Sequence, residues 1–182
     1  MRSGIISLAT ISLSLFFVAC SPTTPKVAEG PTSDTASLSR TLVLRGNAYY
    51  ASKDFDHAIS DYSDAIKLTP RDAVVFFDRG NSYLAKRDWG NAVADYNEAI
   101  NLNQSFVSAF VNRGNAYRAK GDIDRAIKDY DEAIKLDPNH INAFNNRGNA
   151  YKAKGDNDRA IEDYNHAIRL NPASRTLSGQ NN

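Results

Sequence analysis

Cysteine is almost missing: there is one in 182 residues. That excludes an intramolecular disulfide and any cysteine-cluster metal site. Histidine is also scarce. His57, His140 and His166 are too few and too scattered to furnish a histidine-based catalytic or metal centre. Neither sign of charge is in surplus: 22 Lys plus Arg stand against 21 Asp plus Glu, for a net charge of +1. A nucleic-acid binder would show a basic excess or stripe, so nucleic acid is not an expected partner. No Ser-His-Asp set, metal-ligand spacing or phosphate loop is visible. The expectation is therefore a chain that is not an enzyme and uses no cofactor and no metal. Hydrophobic residues make up 42% and charged residues 24%, enough apolar material for most of the chain to fold.

The first uncharged run is short. After Met1 and Arg2, residues 4–19 carry no charge and are rich in Ile, Leu, Phe, Val, Ala and Ser. A membrane-spanning helix needs about 20 apolar residues, and this 16-residue run suits a secretory signal better. It ends Phe17-Val18-Ala19-Cys20, which resembles a bacterial lipobox, with Phe17 standing where that family usually has leucine. The resemblance implies cleavage before Cys20, lipidation of its sulfur (a palmitate-type acyl anchor) and acylation of the new amino terminus. It also implies, through Ser21 rather than aspartate after the cysteine, a place in the bacterial envelope at the outer membrane, facing the periplasm. The alternatives are an ordinary signal peptide that contains Cys20 by chance, or an uncleaved anchor. From Ser21 to Leu38 come Pro22, Pro25, Pro31 and seven Ser or Thr residues with no apolar periodicity. Such a stretch cannot bury enough surface to order itself. The expected order is a signal at 1–19, then a lipidated Cys20 with a flexible tether at 20–38.

The rest is one unit written four times. Arg-Gly-Asn recurs at Arg45-Gly46-Asn47, Arg79-Gly80-Asn81, Arg113-Gly114-Asn115 and Arg147-Gly148-Asn149, each 34 residues after the last. Tyr49, Tyr83, Tyr117 and Tyr151 keep phase with it, as do Tyr62, Tyr96, Tyr130 and Tyr164, so eight of the nine tyrosines fall in two phases. Ala58, Ala92, Ala126 and Ala160 repeat likewise, then Ala65, Ala99, Ala133 and Ala167. Each unit reads as two helices. The first helices are predicted over 40–52, 74–86, 108–120 and 142–154. Asp54, Asp88, Asp122 and Asp156 are then placed to cap the second helices. Gly121 and Gly155 suit the turn between helices, where a positive φ costs glycine nothing; Lys53 and Arg87 hold the equivalent places. Pro70, Pro138 and Pro172 stop the second helices, and Gln104 replaces that proline in the second unit. A glycine inside a helix costs about 1 kcal/mol. Four in phase imply close approach, expected here at the crossing with Ala58 and its equivalents.

This pattern of Gly-x-x-Tyr, Ala, aromatic, Ala and Pro on a 34-residue period resembles the tetratricopeptide repeat family. Four repeats, 39–72, 73–106, 107–140 and 141–174, are followed by a short disordered tail at 175–182. Departures are few: Leu42, Phe76, Phe110 and Phe144 stand where the family often has Trp, and Arg45 and its equivalents where it often has Leu. The resemblance implies an all-α fold, a right-handed superhelical α-solenoid of helix-turn-helix repeats, with a concave groove lined by the first helices. That groove is the family's usual site for a peptide or a protein partner.

Helical phase places residues on the groove. Asn47, Asn81, Asn115 and Asn149 form a ladder of amides, able to donate to and accept from an extended peptide backbone. The early groove offers Val43, Leu44, Tyr50, Phe77 and Leu84. The late groove offers Asn112, Arg118, Asn145, Asn146 and Lys152. Relatives that grip a carboxylate do so with lysine and arginine beside the asparagines; Val43, Phe77 and Val111 occupy that kind of place here, so a carboxylate clamp is not expected. The row Arg45, Arg79, Arg113 and Arg147 is matched by Asp61, Asp95, Asp129 and Asp163 in a common period. It reads as a solvated convex face with pairs such as Arg125 with Asp129 and Arg159 with Asp163. The expected function is a membrane-anchored scaffold that binds peptides or partner proteins. The alternative is an assembly factor for an envelope machine: a pilus-secretin pilot, an outer-membrane barrel assembly subunit or a recruiter of cell-wall hydrolases. Ile161, Ile168 and Leu170 at the last helix raise self-association through the C-terminal repeat.

Overall fold

Four copies of one local pattern fold as four helix pairs. The computed structural model describes residues 32–171. Among them are eight helices and no strand: α1 (Ser33–Ala51), α2 (Phe55–Leu68), α3 (Ala73–Ala85), α4 (Trp89–Leu102), α5 (Val107–Ala119), α6 (Ile123–Leu136), α7 (Ile141–Ala153) and α8 (Asn157–Leu170). Apart from the start of α1, these match the expected helices to within one or two residues at each end. None of these helices is long and apolar enough to cross a membrane. The expected signal, Cys20, the expected tether up to residue 31 and the expected tail lie outside the described residues.

The punctuation works as its chemistry requires. Asp54, Asp88, Asp122 and Asp156 each accept from the backbone N–H three residues on, filling one of the donors that a helix start leaves open. At the turn before each cap the chain passes through positive φ four times: Lys53 at 65°, Arg87 at 62°, Gly121 at 84° and Gly155 at 81°. That region costs an L-residue roughly 1–2 kcal/mol and costs glycine nothing. Arg87→Gly is therefore expected to stabilise the protein by about 0.5–1 kcal/mol, read as a higher urea midpoint, and Gly121→Ala to lower it.

One boundary differs from expectation. α1 begins at Ser33, not near Arg40, so 33–38 belong to the helix and not to the tether. Thr32 caps it, its side chain accepting from Thr35 N–H, and Asp34 sits in the first turn, where a negative charge meets the helix dipole favourably. The buried Ser39 ties this helix to its partner through a 2.7 Å hydroxyl contact with Thr69.

Small residues make the core. Ala58, Ala65, Ala92, Ala99, Ala126 and Ala133 are fully buried, together with Tyr62, Tyr96 and Tyr130. Alanines allow the two helices of a repeat to lie close, and each buried tyrosine contributes on the order of 2 kcal/mol of burial. The four phased glycines serve that tyrosine. A Cβ on Gly46, Gly80, Gly114 or Gly148 would meet the ring of Tyr62, Tyr96, Tyr130 or Tyr164 at 2.6–2.8 Å. The close approach was expected, but at Ala58 and its equivalents; the group that mainly demands it is the aromatic ring one turn on.

The curvature follows from unequal contact. Each helix packs on its neighbour in sequence, and first helices also touch the next first helix: α1 with α3, α3 with α5, α5 with α7. The second helices have no such contacts with one another. The first helices therefore crowd the inner side of a bend and the second helices splay on the outer side, as in an all-α solenoid of stacked repeats.

Candidate binding groove

The inner side carries the amide ladder, and its chemistry is narrower than the sequence implies. In each repeat the second-helix tyrosine donates its hydroxyl to the asparagine oxygen: Tyr62 to Asn47 (2.6 Å), Tyr96 to Asn81 (2.8 Å), Tyr130 to Asn115 (2.9 Å) and Tyr164 to Asn149 (2.8 Å). Each amide oxygen is thus engaged within the repeat, while the four NH2 groups make no hydrogen bond with a described residue, so the capacity the ladder has left is mainly that of donors, suited to peptide carbonyls. Burial pushes the phenols up, Tyr130 to about 12 and Tyr62 and Tyr96 further, so they remain protonated donors.

The groove residues separate into three groups. Asn47, Tyr50 and Asn81 come together with Tyr62 and Asp78 around a cleft of about 240 Å³ between the first two repeats. Val43, Phe77 and Leu84 lean into the core instead: Val43 packs against the cluster of Ala58, Tyr62, Ala65 and Val75, Leu84 against that of Ala92, Tyr96 and Ala116, and the Phe77 ring lies 4.8 Å from that of Phe106. All three are half-buried. Asn112 donates to Asn81 Oδ1 at 2.8 Å, linking the second and third repeats. Further along, Asn145 and Asn146 are half-buried, while Arg118, Asn149 and Lys152 are exposed.

Sequence reasoning left two residues of this cleft, Tyr62 and Asp78, out of the groove. Asp78 follows Phe77 at the phase shared by Leu44, Asn112 and Asn146. It is half-buried, and burial, reinforced by Asp72, pushes its carboxyl up to about 6. The available signal was a single acidic side chain breaking an otherwise neutral concave row.

Beyond its first member, Arg45, whose side chain is 59% exposed, the arginine row does not lie on a solvated face. Arg45, Arg79, Arg113 and Arg147 each grip Asp61, Asp95, Asp129 or Asp163 with a two-pronged fork, at 2.6–2.9 Å. The four aspartates are buried, near 5% exposed. Three of the arginines also reach back to the preceding repeat: Arg79 to Ser63, Arg113 to Asn97 and Arg147 to Asp131. Arg125 and Arg159 pair not with Asp129 and Asp163 but with their own helix caps, Asp122 and Asp156. The physical reason is reach: the cap lies one turn back at the surface, whereas Asp129 and Asp163 are already held from the other helix.

Among the described residues no group of His, Cys, Asp or Glu could hold a metal ion. The repeat geometry has a direct counterpart among known families. A TPR repeat family model matches residues 46–87, 80–121 and 114–155, and a tetratricopeptide repeat model matches 141–174. The chain belongs to the tetratricopeptide repeat (TPR) family. Its fold is similar to solved TPR structures. MamA is 26% identical, with a TM-score of 0.70, over 72% of this chain and 77% of that one. The first TPR of Spaghetti (RPAP3) bound to the HSP90 peptide SRMEEVD is 28% identical, with a TM-score of 0.64, over 66% and 95%. The Arabidopsis OM64 TPR domain is 25% identical, with a TM-score of 0.64, over 65% and 98%. No curated protein is a significant match. As a TPR protein the chain falls in a class of interaction scaffolds that are generally not enzymes.

Proposed function

We propose that this TPR array is a membrane-anchored adaptor that holds an extended peptide or a partner protein's segment along its concave side. One observation carries the proposal: four asparagine amides, each with its oxygen engaged by a tyrosine hydroxyl, keep four NH2 groups free of partners among the described residues. Peptide carbonyls repeat along an extended chain, so such a row binds backbone without regard to side chains. The similar TPR structure that contains a bound peptide supports this use of the fold. The anchor rests on the lipobox-like segment ending at Cys20, and the place of action is the bacterial envelope, at the outer membrane. Work as an assembly factor for an envelope machine is the narrower form of the same proposal. Self-association through the C-terminal repeat rests on Ile161 of α8, which is 56% exposed.

The test is photocrosslinking in cells from position 118 on the same helix, compared between the parent and ladder variants. Asn115→Ala removes one donor and also frees the Tyr130 hydroxyl, so partner capture should fall about tenfold, the size of one or two hydrogen bonds. Mass spectrometry of the same material should find acyl groups on Cys20. Capture unchanged by Asn115→Ala and Asn149→Ala together would remove the groove from the mechanism, and an unmodified Cys20 would remove the anchor.

A further inference from the structure

We infer that Asp78 anchors a positively charged side chain, a lysine or arginine of a partner polypeptide, in the cleft between the first two repeats. This rests on the groove proposed above and gives its ligand a chemistry.

The other aspartates of the same helix pairs have partners. Asp61 and Asp95 are held by arginine forks, Asp64 by Lys67, Asp56 by Lys86 and Asp54 by His57. The Asp78 carboxyl makes no hydrogen bond or ion pair with any described residue. Its surroundings offer no positive charge. Asn47 and Tyr50 come from α1, Tyr62 from α2 and Asn81 from α3 itself. The titratable groups that bear on it are Asp72, Tyr62 and Tyr96, and Tyr50 lies beside them in the cleft. All of these are neutral or negative. A carboxylate taken partly out of water beside another acid, with no cation, raises the energy of the empty protein. A bound cation reverses that cost, which is differential binding in favour of basic ligands.

The remaining walls fit the same ligand. Asn47 and Asn81 present NH2 donors to backbone carbonyls, and the exposed Tyr50 ring offers a face to an ammonium or guanidinium. The cleft, about 240 Å³, equals about eight waters at ~30 Å³ each, room for the end of a side chain. Acidic peptides face the opposite situation. The peptide SRMEEVD in the similar TPR structure carries three carboxylate side chains; here Asp78 would repel them.

The full chain tests this with four hexapeptides, acetylated and amidated at their ends, that differ only in a central Lys, Arg, Gln or Glu. Binding is followed by the ¹³C signal of the Asp78 carboxyl and by the side-chain amides of Asn81, Asn115 and Asn149. The Lys and Arg peptides should bind about tenfold more tightly than the Gln peptide, the size of one charge-assisted hydrogen bond. The preference should vanish in Asp78→Asn and reverse toward Glu in Asp78→Lys. It should also fade as the pH falls below about 6, where the free carboxyl takes up a proton. Asp78→Asn also reports folding. Because the ionised carboxylate is disfavoured in the folded state, its cost is full above pH 6 and shrinks toward pH 4. The variant should therefore melt about 2–4 °C higher than the parent at pH 8, with the gap narrowing in acid. A lower melting temperature would assign Asp78 a structural role and overturn the inference. Charge-blind binding of all four peptides would overturn it while leaving the groove intact. No shift at any ladder amide with any peptide would remove the groove and the anchor together.

Discussion

Arg113→Met is expected to cost about 3–5 kcal/mol of stability, among the largest losses available to a single substitution in this protein. Asp129 is buried, and its two oxygens accept from Arg113 Nε and Nη2 at 2.9 and 2.6 Å. Burial pushes the Asp129 carboxyl up, and the guanidinium fork opposes that rise. Without the fork a carboxylate is left in the interior with nothing to balance it. The same change removes the bond from Nη1 to Asn97 at 2.7 Å and the stacking of the guanidinium 5.4 Å from the centre of the Phe110 ring. The pair itself is not a net source of stability, because taking both ions from water costs nearly what their attraction returns. Arg113→Met with Asp129→Leu should therefore recover most of the loss. Urea unfolding of the two variants, followed by helical circular dichroism, separates these cases. A double variant as weak as the single one would show that packing, and not an orphaned charge, sets the cost. Arg125→Ala should cost no more than about 1 kcal/mol, since that side chain reinforces a cap at the surface and lies 4.4 Å from the centre of the Tyr117 ring without balancing a buried charge.

Gly114→Ala should destabilise by about 1–2 kcal/mol even though alanine is the better helix former by about 1 kcal/mol. The added Cβ would stand 2.6 Å from Tyr130 Cε1, closer than nonbonded carbons can lie. The ring cannot swing away cheaply. It is fully buried, and its hydroxyl is tied to Asn115. Overpacking of this kind costs typically 1–3 kcal/mol, with the lost hydrogen bond added. Gly90→Ala is the control. It also lies in a helix, but its Cβ would meet only Asp88 Oδ1 at 3.8 Å, so propensity acts alone and the variant should gain about 0.5–1 kcal/mol. Opposite signs for the two glycines in thermal unfolding are the expected outcome; the same sign would break the steric account.

The helices, their caps and their turns were legible because those features repeat, and a periodic pattern reveals the unit that stacks. The start of α1 was hidden because Ser33 to Leu38 have no apolar periodicity. That turn is held by the cap on Thr32 and followed by the Ser39 tie to Thr69. The arginine forks were hidden for a different reason. Arginine and aspartate ordinarily sit at the surface, and pairing rules for a single helix look three or four residues away, whereas Arg113 and Asp129 are sixteen apart. Their common period was visible, and it marks contact between helices just as it marked Gly46 with Tyr62. The engagement of the asparagine oxygens was not legible, since it depends on tyrosine hydroxyls brought over from the second helix of each repeat. Asp78 was not legible as a site residue because its meaning depends on the absence of a cation nearby, and that is a property of three helices together.

The backward reach of Arg79, Arg113 and Arg147 has a mechanical consequence. Each guanidinium rivets its own hairpin to the one before, while Arg45 makes no such backward bond among the described residues. An outer hairpin is held by one such junction and an inner hairpin by two, and the central junction at Arg113 adds the bond from Asn112 to Asn81. Under load or heat it comes apart one rivet at a time from the outside inward, and the middle of the curve keeps its shape longest.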